Sequence, residues 1–303
     1  MKKLLTTLTL CFATTFSFAQ TAVQVDSEID GDLYLANKDS KQLAIIIAGS
    51  GPTNKNGNNP AGVNANSYKY LAQGLKENGI NTFTYNKRMF AQMKNQTINE
   101  ADIKFEDNVS DLNIVIDYFK KDYPNIILIG HSEGAMVATL ASQDNSAVSK
   151  LISLQGPGES VDKVLYKQIT AQAPFFAKSI EDIHAKLRKG EIVDSIPPML
   201  QSLYRTSAQP YLISWMKYDP TVELKKVKQP ILILQGDKDL QVKTDQGDNL
   251  KQAVPTATLV TIKGMNHVLK TVVKEEENLA LYMKPDVPLH TELVPTIVNF
   301  IKK

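Results

Sequence analysis

Fifteen residues constrain this chain more than any others: Asn125-Ile-Ile-Leu-Ile-Gly-His-Ser-Glu-Gly-Ala-Met-Val-Ala-Thr. An apolar run from Ile126 to Ile129 reads as a buried strand, and the small residues from Ala135 onward read as a helix. Between them stands the turn Gly130-His131-Ser132-Glu133-Gly134. A serine on so tight a strand-to-helix turn has its hydroxyl pushed into the open, the geometry of a nucleophile elbow. Gly130 and Gly134 lack side chains for a steric reason, since the helix must pass very close to the strand it leaves. The bare G-x-S-x-G pattern is common by chance, so its meaning depends on the partners the rest of the chain supplies.

Downstream stand an acid and a histidine, in the order that such a serine requires. Leu234-Gln-Gly-Asp-Lys-Asp-Leu comes directly after a predicted strand, and Gly264-Met-Asn-His267 lies in the loop after the next one. At the carboxyl ends of parallel strands, residues distant in sequence converge on one crevice. A serine needs a base to take its proton, and the base needs a carboxylate to fix its tautomer. The predicted triad is therefore Ser132, His267 and Asp239. Asp239 is favoured over Asp237 by its distance past Gly236, and Asp237 is expected to shape the turn. Among the other histidines, His131 is expected to pack beneath the elbow, His184 lies on a predicted helix, and His290 precedes the last helix. Donors for a developing oxyanion are expected from two backbone N–H groups, that of Glu133 after the nucleophile and that of Ser50 in the loop Ala48-Gly-Ser-Gly-Pro. That loop lacks the Gly-Lys-Ser/Thr ending of a phosphate loop, which argues against nucleotide binding.

Strand and helix signals alternate at short spacing through the first half of the chain. An Asp30-Gly31 turn between Val23-Gln-Val and Leu33-Tyr-Leu predicts a hairpin. Leu43-Ala-Ile-Ile-Ile-Ala, Ile80-Asn-Thr-Phe-Thr-Tyr and Lys150-Leu-Ile-Ser-Leu-Gln read as further strands. Helices are expected over 66–77, ending at Asn78-Gly79, and over 105–121, where Leu112, Val115, Ile116 and Phe119 share a face. From 157 to 229 the strand signals stop and helical ones take over, near 161–173, 179–189 and 198–207. The second of these carries a capping-box signal, Ser179 with Asp182, and ends at Gly190. Strands return with Ile231-Leu-Ile-Leu and Thr258-Leu-Val-Thr-Ile, with helices near 244–252 and 291–301. The expected architecture is α/β: a mostly parallel sheet covered on both faces, with core segments 20–156 and 230–303 and a helical lid over 157–229.

The first nineteen residues read as a leader. Lys2 and Lys3 precede a short apolar run, and Ser17-Phe-Ala supplies small residues for cleavage before Gln20, so an exported, periplasmic or secreted protein is expected. That run is too short to span a bilayer. Leu10 is too large for a lipid-attachment site at Cys11, and without the leader no cysteine remains, which excludes disulfides and thiol catalysis. Loss of Lys2 and Lys3 brings 34 basic residues level with 32 acidic ones. This balance, with no basic stripe, gives no electrostatic case for nucleic acid or membrane binding, and no stable membrane insertion is expected after leader removal. Scattered histidines without H-E-x-x-H or a cysteine pair predict no metal and no cofactor. Composition and motifs do not fix an oligomeric state.

Taken together, Gly49-Ser-Gly-Pro, Tyr85-Asn-Lys-Arg88, Gly130-His-Ser-Glu-Gly, Gly236-Asp-Lys-Asp and Asn266-His267 resemble the α/β-hydrolase superfamily. The likeness is to its exported bacterial esterase-like branch, similar to serine aminopeptidase-type hydrolases, and it covers roughly residues 30–303. It implies a serine hydrolase acting on small to medium carboxylic esters through an acyl-enzyme. A peptidase, amidase or acyltransferase with the same triad is the alternative, and a non-catalytic exported binding protein a distant third. Two departures stand out: Ala48 replaces the histidine of many relatives, and the run Thr271–Pro288, with Lys274-Glu-Glu-Glu, is long and reads as a solvated surface segment. Arg88 is expected to anchor its loop. Tyr211, Trp215 and Tyr218 are expected as core residues, with an acyl pocket under the lid as the other reading.

Overall fold

A computed structural model describes residues 20–303; the leader and its cleavage site lie outside the described residues. Eight strands form one sheet: β1 (Thr21–Gln24), β2 (Asp30–Tyr34), β3 (Gln42–Ile47), β4 (Asn81–Tyr85), β5 (Asn125–His131), β6 (Val148–Leu154), β7 (Ile231–Gly236) and β8 (Thr258–Ile262). Their order is β1-β2-β4-β3-β5-β6-β7-β8. β2 pairs antiparallel with both β1 and β4, and every later pairing is parallel. The expected mostly parallel sheet is what forms.

Side-chain alternation explains why both faces are covered. Along β3, Leu43, Ile45 and Ile47 enter one core layer, while Ala44, Ile46 and Ala48 enter the other. β5 divides the same way, Ile126 and Leu128 against Ile127 and Ile129. A strand buried on both faces reads as an unbroken apolar run, which is how these strands are written. Helix α1 (Ser67–Glu77) brings Leu71, Ala72 and Leu75 to the second layer. A short α2 (Arg88–Lys94) leads to α3 (Phe105–Phe119), whose Leu112, Val115, Ile116 and Phe119 fill the first layer. Truncating any one of these to alanine costs about 2–5 kcal/mol. In α4 (Glu133–Ser142) every residue but Leu140 is buried, and its small side chains let it press against the sheet.

Between β6 and β7 lie α5 (Val161–Gln172), α6 (Ala177–Leu187), α7 (Gln201–Tyr204), α8 (Gln209–Trp215) and α9 (Pro220–Leu224), with no strand. Ile180, Ile183, Leu187, Leu200, Tyr204 and Leu212 form a separate small core there. Then α10 (Thr244–Ala253) joins β7 to β8, and α11 (Leu293–Lys302) closes the second layer through Leu293, Ile297, Val298 and Ile301. No helix among the described residues is long and apolar enough to cross a membrane.

Three local expectations need correction. The first hairpin forms, but its turn sits at Asp26, whose Oδ1 accepts from the N–H groups of Glu28 and Ile29 at 2.8 and 2.7 Å. Gly31 lies inside β2 instead, because a Cβ there would come within 2.4 Å of the Phe83 ring. Ser179 is not a cap: α6 begins at Ala177, and Asp182 pairs with Lys178 at 2.7 Å, although Gly190 does close the helix region with φ +79°. The segment 198–207 breaks into a 3-10 turn, α7 and another 3-10 turn, since Arg205 is extended (φ −52°, ψ 147°).

Candidate active site

The elbow forms as the glycine spacing requires. Ser132 has φ 54° and ψ −122°, a left-hand backbone position that costs a non-glycine residue about 1–3 kcal/mol. It is held there by its own N–H, which donates to the Leu154 oxygen at 3.0 Å, and by its carbonyl, which accepts from Ala135 at 3.0 Å. A Cβ on Gly130 would lie 2.2 Å from the Gly134 oxygen, and one on Gly134 2.4 Å from the Ile47 oxygen. Only glycine fits at either position.

β7 and β8 run side by side, Gly236 opposite Ile262, so the loops beyond them meet. His267 Nδ1 lies 2.7 Å from Asp239 Oδ2, and both side chains are almost wholly buried. The other Asp239 oxygen accepts from the N–H groups of Gln241 and Val242 at 2.7 and 2.9 Å. Asp237 faces away: its Oδ1 accepts from the Gly264 N–H at 2.5 Å and shapes the turn after β8. Gln155, itself at φ 49°, supports the histidine loop by donating to the Asn266 oxygen at 2.9 Å.

His131 packs beneath the turn and links two loops. Its Nε2 lies 2.9 Å from the carbonyl oxygen of His267, and its Nδ1 2.9 Å from the Tyr68 hydroxyl. A carbonyl only accepts, so Nε2 carries the proton and Nδ1 accepts from Tyr68. The Tyr68 oxygen in turn accepts from the Gly49 N–H at 3.0 Å. Burial, with His267 beside it, pushes His131 down to about 3, which keeps it neutral.

The loop after β3 reaches the elbow, with a Gly49 Cβ position 3.3 Å from the Ser132 Cβ. No protein acceptor takes the N–H of Ser50 or of Glu133 among the described residues. The Glu133 side chain is buried and paired with Lys87 Nζ at 2.8 Å, and Lys87 Nζ also donates to the Gly49 oxygen at 3.1 Å.

A cavity of about 420 Å³ opens over these groups. Ser50, Ser132 and Glu133 line it, together with Val161, Val164 and Leu165 of α5 and Leu212 and Trp215 of α8. Its walls are mostly apolar. Tyr211 and Trp215 line it, and Trp215 also stacks on Phe105 with ring centres 5.3 Å apart, so they serve as pocket wall and core together. Tyr218 packs against Phe105 and does not line the cavity. The cavity's two acids are both engaged. Glu133 meets Lys87, and Glu100 takes Arg205 Nε at 2.8 Å and the Ser207 hydroxyl at 2.5 Å.

The structure brings Asp239 and His267 into contact and sets Ser132, Ser50 and Glu133 together in the lining of one cavity. Arg88 anchors its loop as expected, through Asp111 at 2.8 Å and through Glu28. Lys87 and Tyr68 escape sequence reasoning. Neither carries a motif of its own, and their partners are distant in sequence; the only signal is the place of Lys87 within Tyr85-Asn-Lys-Arg88. The run 271–288 is more than solvated surface. Glu275–Glu277 are exposed, but Val272, Leu281 and Tyr282 pack against Ala65 and Val268, and Asn278 holds Asn266 Nδ2 at 3.1 Å.

Residues 61–227 match the family described as serine aminopeptidase, S33. No curated protein matches the sequence. Among solved structures, the chain is similar to Est1E from Butyrivibrio proteoclasticus, at 18% identity and a TM-score of 0.57, covering 94% of this chain and 99% of that one. It is similar to the esterase Pf2001 from Pyrococcus furiosus at 15% identity, TM-score 0.56 and coverage of 94% and 90%. A bromoperoxidase from Bacillus anthracis matches at 16% identity, TM-score 0.55 and coverage of 94% and 100%. These likenesses establish the shared fold.

Proposed function

On the premise that this chain belongs to the serine aminopeptidase S33 family of α/β hydrolases, we propose that it is a serine esterase of small to medium carboxylic esters. In this reading Ser132 Oγ attacks the ester carbonyl while His267 takes its proton. Asp239 holds the imidazole tautomer and stabilises the imidazolium that forms. The N–H groups of Ser50 and Glu133 receive the oxyanion. His267 then protonates the departing alkoxide, and a water molecule, activated by the same histidine, releases the acid from the acyl-enzyme. The observations that carry the proposal are the 2.7 Å contact of His267 with Asp239 and the strained elbow that holds Ser132 at φ 54°.

The likeness to the Pyrococcus furiosus esterase Pf2001 supports ester chemistry, and the mostly apolar cavity supports it independently. The family description favours a second reading, cleavage of an amino-terminal residue from a peptide. Such a substrate brings a free ammonium, yet both acids lining the cavity are already paired. The ester reading therefore stands first. Export through the leader belongs to the same proposal, and amino-terminal sequencing of the processed protein should begin at Gln20.

The test is hydrolysis of a p-nitrophenyl ester series, acetate to decanoate, beside aminoacyl p-nitroanilides, by wild type and Ser132→Ala. Ester turnover that falls at least ~10³-fold in the variant supports the proposal. Turnover of the anilides alone replaces it with the peptidase reading, and retained activity in Ser132→Ala removes the nucleophile. Hydroxylamine competing with water for the acyl group would reveal a transferase.

A further inference from the structure

We infer that Lys87 is a positioning residue that presets the oxyanion hole, an inference that rests on the serine-esterase reading. Lys87 comes just after β4, where its N–H donates to the Thr53 oxygen at 3.2 Å. Its side chain is only 6% exposed, and its ammonium has two protein partners: Glu133 Oε1 at 2.8 Å and the Gly49 carbonyl oxygen at 3.1 Å.

The second partner matters because of which peptide it belongs to. The Gly49 carbonyl and the Ser50 N–H are two ends of one planar trans unit, pointing in opposite directions. A cation that fixes the carbonyl therefore fixes the amide. It also polarises the peptide and makes the N–H a stronger donor. Without such a hold the unit is free to rotate cheaply, because Gly49 has no Cβ to oppose the change. Its other side is already secured, by the Gly49 N–H on the Tyr68 hydroxyl at 3.0 Å.

The first partner closes the arrangement. Glu133 supplies the other oxyanion donor from its backbone, and its buried carboxylate anchors Lys87. One ion pair thus spans both donors. Apolar residues of similar volume often replace a buried pair with no loss of stability. Stability alone therefore gives no reason for a lysine and a glutamate here, whereas orienting an amide does.

The experiment compares wild type, Lys87→Met, the double variant Lys87→Met/Glu133→Leu, and Ser132→Ala. Each is measured for kcat and KM on the best p-nitrophenyl ester, for inhibition by an alkyl trifluoromethyl ketone, and for thermal midpoint. The ketone adds the nucleophile to form an oxyanion, so it reports on the hole. Both Lys87 variants should lose about 10- to 100-fold in kcat with KM within about threefold, and ketone inhibition should weaken by a similar factor. The double variant, with no unpaired charge left in the interior, should recover the thermal midpoint but not kcat. Full kcat in the folded double variant, or in Lys87→Met, would reduce the pair to a structural role. Activity surviving in Ser132→Ala would instead overturn the esterase reading itself, so the two failures are distinguishable.

Discussion

The imidazole of His131 donates through Nε2 to the carbonyl oxygen of His267, 2.9 Å away. The residue beside the proposed nucleophile thereby holds the loop of the proposed base. The same ring accepts from Tyr68, which receives the Gly49 N–H, so one chain of three hydrogen bonds joins the β3, elbow and histidine loops. Replacing Tyr68 with phenylalanine keeps the ring that meets His131 edge-on at 5.6 Å but removes the hydroxyl. Two buried groups, the Gly49 N–H and His131 Nδ1, then lose their partner at about 1–3 kcal/mol each. Urea unfolding should show a loss of roughly 2–6 kcal/mol, and kcat on the ester series should fall with it as both loops relax. A variant with wild-type stability would mean the chain carries no energy.

The two carboxylates of the β7 loop make a sharp contrast. Asp239→Asn keeps an oxygen for the Gln241 and Val242 amides, so the loop should stay folded, but it offers His267 a poor partner and favours the wrong tautomer. Turnover should fall about 10⁴-fold. Asp237→Asn keeps an acceptor for the Gly264 N–H, and its turnover should stay within about threefold of wild type. Kinetics of the two variants side by side decide the assignment, and the reverse result would exchange the roles.

The range of each interaction decides how much of this was readable in the sequence. The elbow is local: Gly130 and Gly134 must be glycine within five residues, and the strand and helix around them carry their own periodicity. The loops of Asp239 and His267 were legible because parallel strands place them at one edge in a fixed order. Lys87 was not, since its partners are Gly49 and Glu133 and nothing around it marks a buried lysine. The hairpin turn was misplaced because Gly31 serves a close approach to Phe83 from a strand that is distant in sequence. Leu281 and Tyr282 lie on a 3-10 turn of five residues, Leu279–Met283, too short to show a period, and Val272 lies outside any helix or strand, so their packing was invisible to pattern reading.

Stability should depend on pH through two buried histidines. Burial pushes His184 down to about 4, and His131 is lower still, so both are neutral in the folded protein at pH 5. In the unfolded chain each binds a proton below about 6.5. The unfolded state then binds more protons, so their contribution is complete above pH 6.5 and is lost as pH falls toward 4. His184 sits among the inserted helices, with Nε2 on the Tyr204 hydroxyl at 2.7 Å, away from the proposed triad. His184→Gln should lose about 1–2 kcal/mol less than wild type between pH 7 and pH 5. Urea midpoints at the two pH values measure this, and equal losses would show that His184 does not titrate on unfolding.

The cavity sets a final expectation, for the acyl chain. Val164 of α5 and Trp215 both line it, and the position of Trp215 is fixed by stacking on Phe105 at 5.3 Å. Val164→Phe should therefore fill space instead of displacing the wall, since overpacking a rigid wall costs about 1–3 kcal/mol. If acyl chains lie along this cavity, kcat/KM for octanoate and decanoate should fall by at least about tenfold, each lost methylene contact being worth about 0.8 kcal/mol. Acetate, which reaches little beyond Ser132 and Ser50, should change by less than about threefold. A uniform loss across the series would point to a disturbed nucleophile. An unchanged profile would place the acyl chain elsewhere and leave this cavity to the alcohol portion of the ester.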